Sequence, residues 1–122
     1  MSDREDQWAQ DMGDGLGHTY TMLTVMCLRL PIEISLPTGT VSNLETVPAV
    51  RRVLEIIEDL PMSEEDQADL FAACSFWLAA MDVYWVFTKQ PSWARVHSVW
   101  SCLYMVEDAL TSLALKLPGE QE

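Results

Sequence analysis

"LFAACSFWLAAMDVYWVF", residues 70–87, is eighteen residues long and carries one charge, Asp82. A stretch this apolar is a membrane span, the central helix of a packed core, or a surface that a partner covers. Placed on a helix at about 100° per residue, it sorts into two sides. Leu70, Cys74, Trp77, Met81 and Tyr84 fall together, with Leu78 and Trp85 beside them. Ala68, Ala72, Ser75, Ala79, Asp82 and Val86 fall opposite. A helix that is apolar nearly all round is central or membranous.

The length approaches the ~20 residues needed to span a bilayer. Acidic residues before it, and Lys89 and Arg95 after it, resemble the flanks of an oriented span. Regularly spaced small residues also suit helix contacts in lipid. Against this, Asp82 would cost about 2.5–3.5 kcal/mol near the centre of a span. No other segment is a good second span: the first apolar segment contains Arg29, and the last contains Arg95, His97, Glu107 and Asp108. The central-helix reading accounts for Asp82 better, and a membrane location is not expected.

Proline and glycine divide the rest of the chain. "KQPSW", residues 89–93, is a turn, so the helices on either side should lie antiparallel. Residues whose numbers add to about 180 then face each other. Asp82 comes level with His97 and near Arg95, which suggests a structural pair that fixes the hairpin. Glu64 and Glu65 come level with Lys116. Ser63 is placed to cap the third helix, with Asp66 three residues on; that helix runs to about Thr88. Ser92 caps the fourth, Trp93 to Leu117, whose stripe is Val99, Leu103, Val106, Leu110, Leu113 and Leu117. Pro118 and Gly119 end it.

Upstream, "SDRE" is a capping box at Ser2 and Glu5. Trp8, Met12, Leu16, Thr19, Leu23, Met26 and Leu30 then mark one face of a first helix, Asp3 to Leu30. Gly13, Gly15 and Gly17 each cost up to about 1 kcal/mol in a helix interior. They leave open a short N-terminal helix followed by a second starting near Leu16 or His18. "IEISLPTGTVSN", residues 32–43, alternates in its first half and reads as an extended connection or, less readily, an edge strand. The second helix covers about Thr46 to Leu60, with Pro48 in its first turn and Val47, Val50, Val53, Leu54, Ile57 and Leu60 as its stripe. Arg51 and Glu55 are spaced to support it as an ion pair. The expected fold is all-α: one helical domain over residues 1–122, an antiparallel four-helix bundle with an extended connection between the first and second helices.

Chemistry is sparse. The two histidines, His18 and His97, form neither HExxH nor the ExxH pattern of bundle di-iron sites, so no metal is expected. "GDGLG", residues 13–17, lacks the lysine of a phosphate loop, and no cofactor is implied. Glu55 and Glu58 match the first half of the ExxE…ExxD pattern of helical magnesium-dependent nucleotide pyrophosphohydrolases, but Asp66 and Asp69 follow too soon to supply the second half. Cys27, Cys74 and Cys102 are odd in number, sit among apolar residues and form no CxxC, which fits reduced thiols and a cytoplasmic location. The acidic, polar start "MSDREDQWAQDMGDG" reads as neither a secretory signal nor a mitochondrial presequence.

Charge is the strongest remaining signal. The 122 residues carry a net −12. Such a chain repels nucleic acid and anionic membranes and favours basic protein surfaces. Between residues 55 and 69 there is an acidic corner: Glu55, Glu58, Asp59, Glu64, Glu65, Asp66 and Asp69, with no basic residue. Asp3, Glu5, Asp6, Asp11 and Asp14 could extend it if the first helix packs alongside. A second candidate surface is a shallow groove of Ala72, Ser75, Ala79 and Asp82, with Trp93 nearby.

The expected function is therefore that of a small acidic interaction protein, of inhibitor, immunity, anti-defence or adaptor type, with no enzymatic activity. It would bind a protein partner with a basic surface. Small nuclease inhibitors and immunity proteins share this acidic character, a similarity of type with no residue motif behind it. The alternatives are a homo-oligomeric structural subunit, a homodimer among them, and a divalent-metal-dependent nucleotide-processing enzyme.

Overall fold

The computed structural model describes residues 2–39 and 42–117. Four helices pack together: α1 (Asp3–Leu28), α2 (Asn43–Ile56), α3 (Glu64–Lys89) and α4 (Trp93–Lys116), with a single 3₁₀ turn at Ile57–Asp59. No strand occurs among the described residues, so residues 32–39 supply no edge strand.

The helix ends are set by the local chemistry read from the sequence. The Glu5 N–H donates to Ser2 Oγ at 3.2 Å and the Ser2 N–H donates to Glu5 Oε1 at 3.0 Å, a complete capping box. Ser63 and Ser92 accept from the N–H groups of Asp66 and Arg95 at 3.1 and 3.2 Å. The bounds of α1 and α2 differ from expectation, α2 giving way after Ile56, short of Leu60, to the 3₁₀ turn. α1 stops at Leu28 rather than Leu30, and the Arg29 N–H turns back to the Met26 carbonyl. α2 starts at Asn43 rather than Thr46, so Pro48 falls in its second turn, where its missing N–H leaves the Leu44 carbonyl without its helical donor. The expected stop at Pro118–Gly119 lies outside the described residues.

α3 is the one helix whose backbone approaches each of the others. Of its bulky side, Leu70, Cys74, Trp77 and Met81 are buried, joined by Ala73, Ala80 and Phe87, while Leu78 and Tyr84 are half-buried and Trp85 is exposed. By length and composition α3 could cross a membrane; here that side forms the centre of one continuous core. Met12, Leu16 and Leu23 of α1, Val50 and Val53 of α2, and the expected α4 stripe from Val99 to Leu117 complete the core.

The pairings across α3 come at graded levels. Along α1, Trp8 meets Phe87 (ring centroids 6.5 Å apart), and the Trp77 indole N–H donates to the Leu16 carbonyl at 3.1 Å. Along α4, Asp69 meets Ser112 and Glu65 meets Lys116. The connection after α1 is pinned to α1: the Ile34 N–H donates to the Cys27 carbonyl at 3.0 Å, and Tyr20 Oη donates to the Pro37 carbonyl at 2.6 Å. Gly39, at φ +83°, takes a left-handed turn there that other residues rarely adopt.

α1 is one uninterrupted helix through Gly13, Gly15 and Gly17, so the two-piece alternative is set aside. Packing requires glycine at position 15: a Cβ there would sit 2.9 Å from Trp100 Cη2 and Cζ3 and 3.0 Å from Leu103 Cδ1. At Gly17 a Cβ would meet nothing within 4 Å. Gly17→Ala should therefore stabilise the protein by up to about 1 kcal/mol through helix propensity. Gly15→Ala should lose that gain to displacement of Trp100. Urea unfolding of the two variants beside the parent checks the difference in sign.

Candidate functional site: the acidic corner

The corner begins where α2 tightens into the 3₁₀ turn. Ile57 and Leu60 are buried there and anchor it to the core. Gln67, one turn into α3, reaches back: its Nε2 donates to the carbonyls of Ile57 at 3.1 Å and Leu60 at 3.2 Å. These bonds supply partners for backbone acceptors at the end of a helix, which otherwise need water or a cap. Sequence reading passed over Gln67 because nothing in its spacing marks it; its role exists only once the chain has turned back on itself.

The seven acids of the corner divide into two groups. Glu65, Asp66 and Asp69 converge on Lys116 at the end of α4, with Nζ–O distances of 3.0, 3.4 and 2.7 Å. Ser112 Oγ also donates to Asp69 Oδ2, at 2.9 Å. The hydrogen bonds to Asp69 and then Glu65 hold the Lys116 ammonium well above its ordinary pKa. The expected level of Glu65 with Lys116 is thus realised, and Asp69 is drawn in as well. Glu55, Glu58, Asp59 and Glu64 form the other group. They are exposed, and none makes an ion pair with a described residue. Arg51 and Glu55 do not come within ion-pairing distance, so α2 does without that support.

The acids of α1 do not join the corner. Trp8 lies against Phe87, at the end of α3 opposite to Glu64–Asp69, so Asp3, Glu5, Asp6 and Asp11 belong to a separate acidic end. Arg4 there lies over the Trp8 ring, 4.5 Å from its centroid.

The pairing expected around Asp82 is not formed. Asp82 is exposed, with no hydrogen bond or ion pair to His97 or Arg95. Arg95 instead donates to the Gln90 carbonyl at 2.8 Å and to Ser92 Oγ at 3.3 Å, closing the turn between α3 and α4. His97 is exposed beside Trp93, their ring centroids 3.9 Å apart. The reason is rotational: the bulky side of α3 takes the core, which leaves the side carrying Asp82 in solvent. On that side Ala72, Ser75 and Ala79 are partly covered, while Phe71 and Val86 are exposed; Trp85, between the two sides, is exposed as well, and Trp93 on α4 is 61 % exposed.

Among the described residues no group of three His, Cys, Asp or Glu side chains is placed to hold a metal ion, and Glu65, Asp66 and Asp69 gather round an ammonium group instead. All three thiols are free. Burial pushes Cys27 up to about 12 and raises Cys74 and Cys102 as well, which suppresses the nucleophilic thiolate. Compared with models of protein families, with curated protein sequences and with solved structures, the chain matches none.

Replacing Lys116 should leave three carboxylates facing one another. Lys116→Met should lower Tm by an amount on the order of a few degrees, more at low salt than at high, because the released repulsion is screened. Adding Asp69→Asn should recover part of the loss. A lysine raised in the folded state contributes fully below its unfolded value of about 10.4 and loses that contribution as pH rises through the folded value. The Tm gap between parent and Lys116→Met should therefore stay constant from about pH 7 to pH 9 and close at higher pH. Thermal melts by circular dichroism over salt and pH check both expectations.

Proposed function

We propose that this chain is a small acidic interaction protein, of inhibitor, immunity, anti-defence or adaptor type, that docks onto a basic surface of a protein partner. The observation that carries the reading is the unneutralised set Glu55, Glu58, Asp59 and Glu64, held by the Gln67 clamp on a rigid turn. Acids spent on Lys116 build the hairpin; these four have no such duty. Exposed carboxylates on an ordered backbone steer a basic partner at long range and lose little order on binding. The same charge disfavours direct contact with nucleic acid or an anionic membrane. In this reading the protein has no catalytic residues and works in the cytoplasm, in keeping with its free thiols.

The scaffold we infer is an antiparallel bundle in which α3 runs counter to the other three helices. Its support is the ladder of pairs from Trp8–Phe87 to Leu16–Trp77 on one flank, and the Ser112–Asp69 and Lys116–Glu65 pairs on the other. α2 begins near Met81 and Tyr84 and ends near Gln67. The connection between α1 and α2 is then an extended return along α1, through the bonds at Ile34 and Pro37.

The test is a comparison of the parent with a variant carrying Glu55→Gln, Glu58→Gln, Asp59→Asn and Glu64→Gln. From lysate of the native host, the parent should retain a partner at low salt and release it at high salt. The variant should retain at least tenfold less of it at low salt. Undiminished capture by the variant would overturn the reading.

Self-association is a second reading, supported by Phe71, Trp85 and Val86, which remain exposed beside Ala72, Ser75 and Ala79 on α3. It requires a defined oligomer in sedimentation equilibrium that Ala72→Glu converts to monomer. A parent that is already monomeric at working concentration removes it.

A further inference from the structure

α1, the start of α2 and α3 border a half-open cleft of about 680 Å³, remote in role from the acidic corner. That volume lies within the range of small-molecule sites. Its walls include Gly13, Gly17, Thr46, Trp77, Met81 and Tyr84, and none of its lining residues is charged. In a chain of net −12, an uncharged cleft of this size stands apart from the rest of the surface.

Two observations indicate that the cleft is kept open. Gly17 sits in the interior of a 26-residue helix, where glycine weakens the helix. Its backbone does not need glycine, because Gly39 is the positive-φ glycine of the described chain, and a Cβ at position 17 would meet nothing within 4 Å. A side chain there would stand in the cleft. Gly13, one turn earlier on the same wall, would place a Cβ 3.4 Å from Tyr84 Oη, an ordinary contact, so packing does not require glycine there either.

The polar groups of the walls divide sharply. The Trp77 indole donates to Leu16, Tyr20 Oη to Pro37, and the hydroxyls of Thr21 and Thr24 to the carbonyls four residues back. Those side chains line the cleft with their polar ends already used, so what they offer it is apolar. Thr46 Oγ1 has no hydrogen-bond partner among the described residues, although the residue is only 6 % exposed. Tyr84 lines the opposite wall without a hydrogen bond to any described residue. A buried hydroxyl without a partner is costly, and a ligand atom that pairs with it is correspondingly favoured.

We propose that this cleft binds a neutral, flat aromatic molecule that carries a hydrogen-bonding hydroxyl or heteroatom. The ring lies along the glycine wall of α1 against the Trp77 and Tyr84 side, and the polar atom pairs with Tyr84 Oη or with Thr46 Oγ1 after rotation about χ1. An ion is excluded because no opposite charge lines the cleft to replace its lost hydration.

The probe is 2-naphthol, neutral at pH 7, with 2-naphthoate as its charged counterpart. ¹H–¹⁵N spectra of the full chain should show saturable shifts at the Gly13, Gly17 and Thr46 amides and the Trp77 indole with 2-naphthol. Binding of 2-naphthoate should be at least tenfold weaker. Gly17→Leu should fill the cleft and abolish the shifts; Tyr84→Phe should weaken binding at least threefold. Intermolecular NOEs from naphthol protons to the Met81 methyl group locate the ligand in the parent whether or not Gly17→Leu folds. Absence of saturable shifts, equal binding of the naphthoate, or shifts that persist in a folded Gly17→Leu variant would overturn the proposal.

Discussion

The Trp77 indole is the point on which this fold closes. It is 2 % exposed, lies 5.4 Å from the Tyr20 ring by centroids, and spends its N–H on the Leu16 carbonyl of α1. A tryptophan buried this deeply must satisfy its one donor inside the protein, and a helix carbonyl of a neighbouring element is a demanding partner. The bond fixes the rotation of α3 and its level along α1 together. Once Trp77 faces inward, Leu70, Cys74 and Met81 follow within the same arc, and Asp82 must face outward. The exposure of Asp82, and of Phe71 and Val86 on the same side of α3, is a consequence of where Trp77 points.

Charge is distributed by the same geometry. The far end of the α3–α4 hairpin is closed by one cation shared among three carboxylates, while the turn end is closed by Arg95 on Gln90 and Ser92. Acids in the first turn of α3 and a lysine in the last turn of α4 both complement the helix dipoles. Three of the seven acids in what looked like one patch are therefore architecture. A 26-residue helix is roughly 39 Å long, several Debye lengths at physiological salt, so the acids beside α1's start act independently of those at the corner. A basic partner at the corner meets four free carboxylates, not the full charge of the chain.

The glycines of α1 show how one motif divides by tertiary context. Gly15 admits the Trp100 ring against the helix backbone; Gly17 faces open space and Gly13 faces the Tyr84 hydroxyl. A helix bearing three glycines is held together by the core face from Met12 to Leu23, not by its own propensity.

Helix positions were legible from the residues alone because caps and stripes are local. Ser2 with Glu5, Ser63, Ser92, and the Val99–Leu117 stripe act within one or two turns, and each of these readings holds in the structure. The corner was legible as a sequence cluster for the same reason: seven acids within fifteen positions. Which of them remain available was not legible. That depends on Lys116, about fifty positions away, and on Gln67 returning to Ile57. The expected Asp82–His97–Arg95 pair failed on the same ground. Level along a hairpin follows from counting residues, but rotation about the helix axis follows from which side chains the core can hold. Spacing along a chain encodes periodicity and caps. The pairing of charges needs groups brought within a few ångströms, and the packing of Trp77, Leu16 and the α4 stripe decides which groups those are.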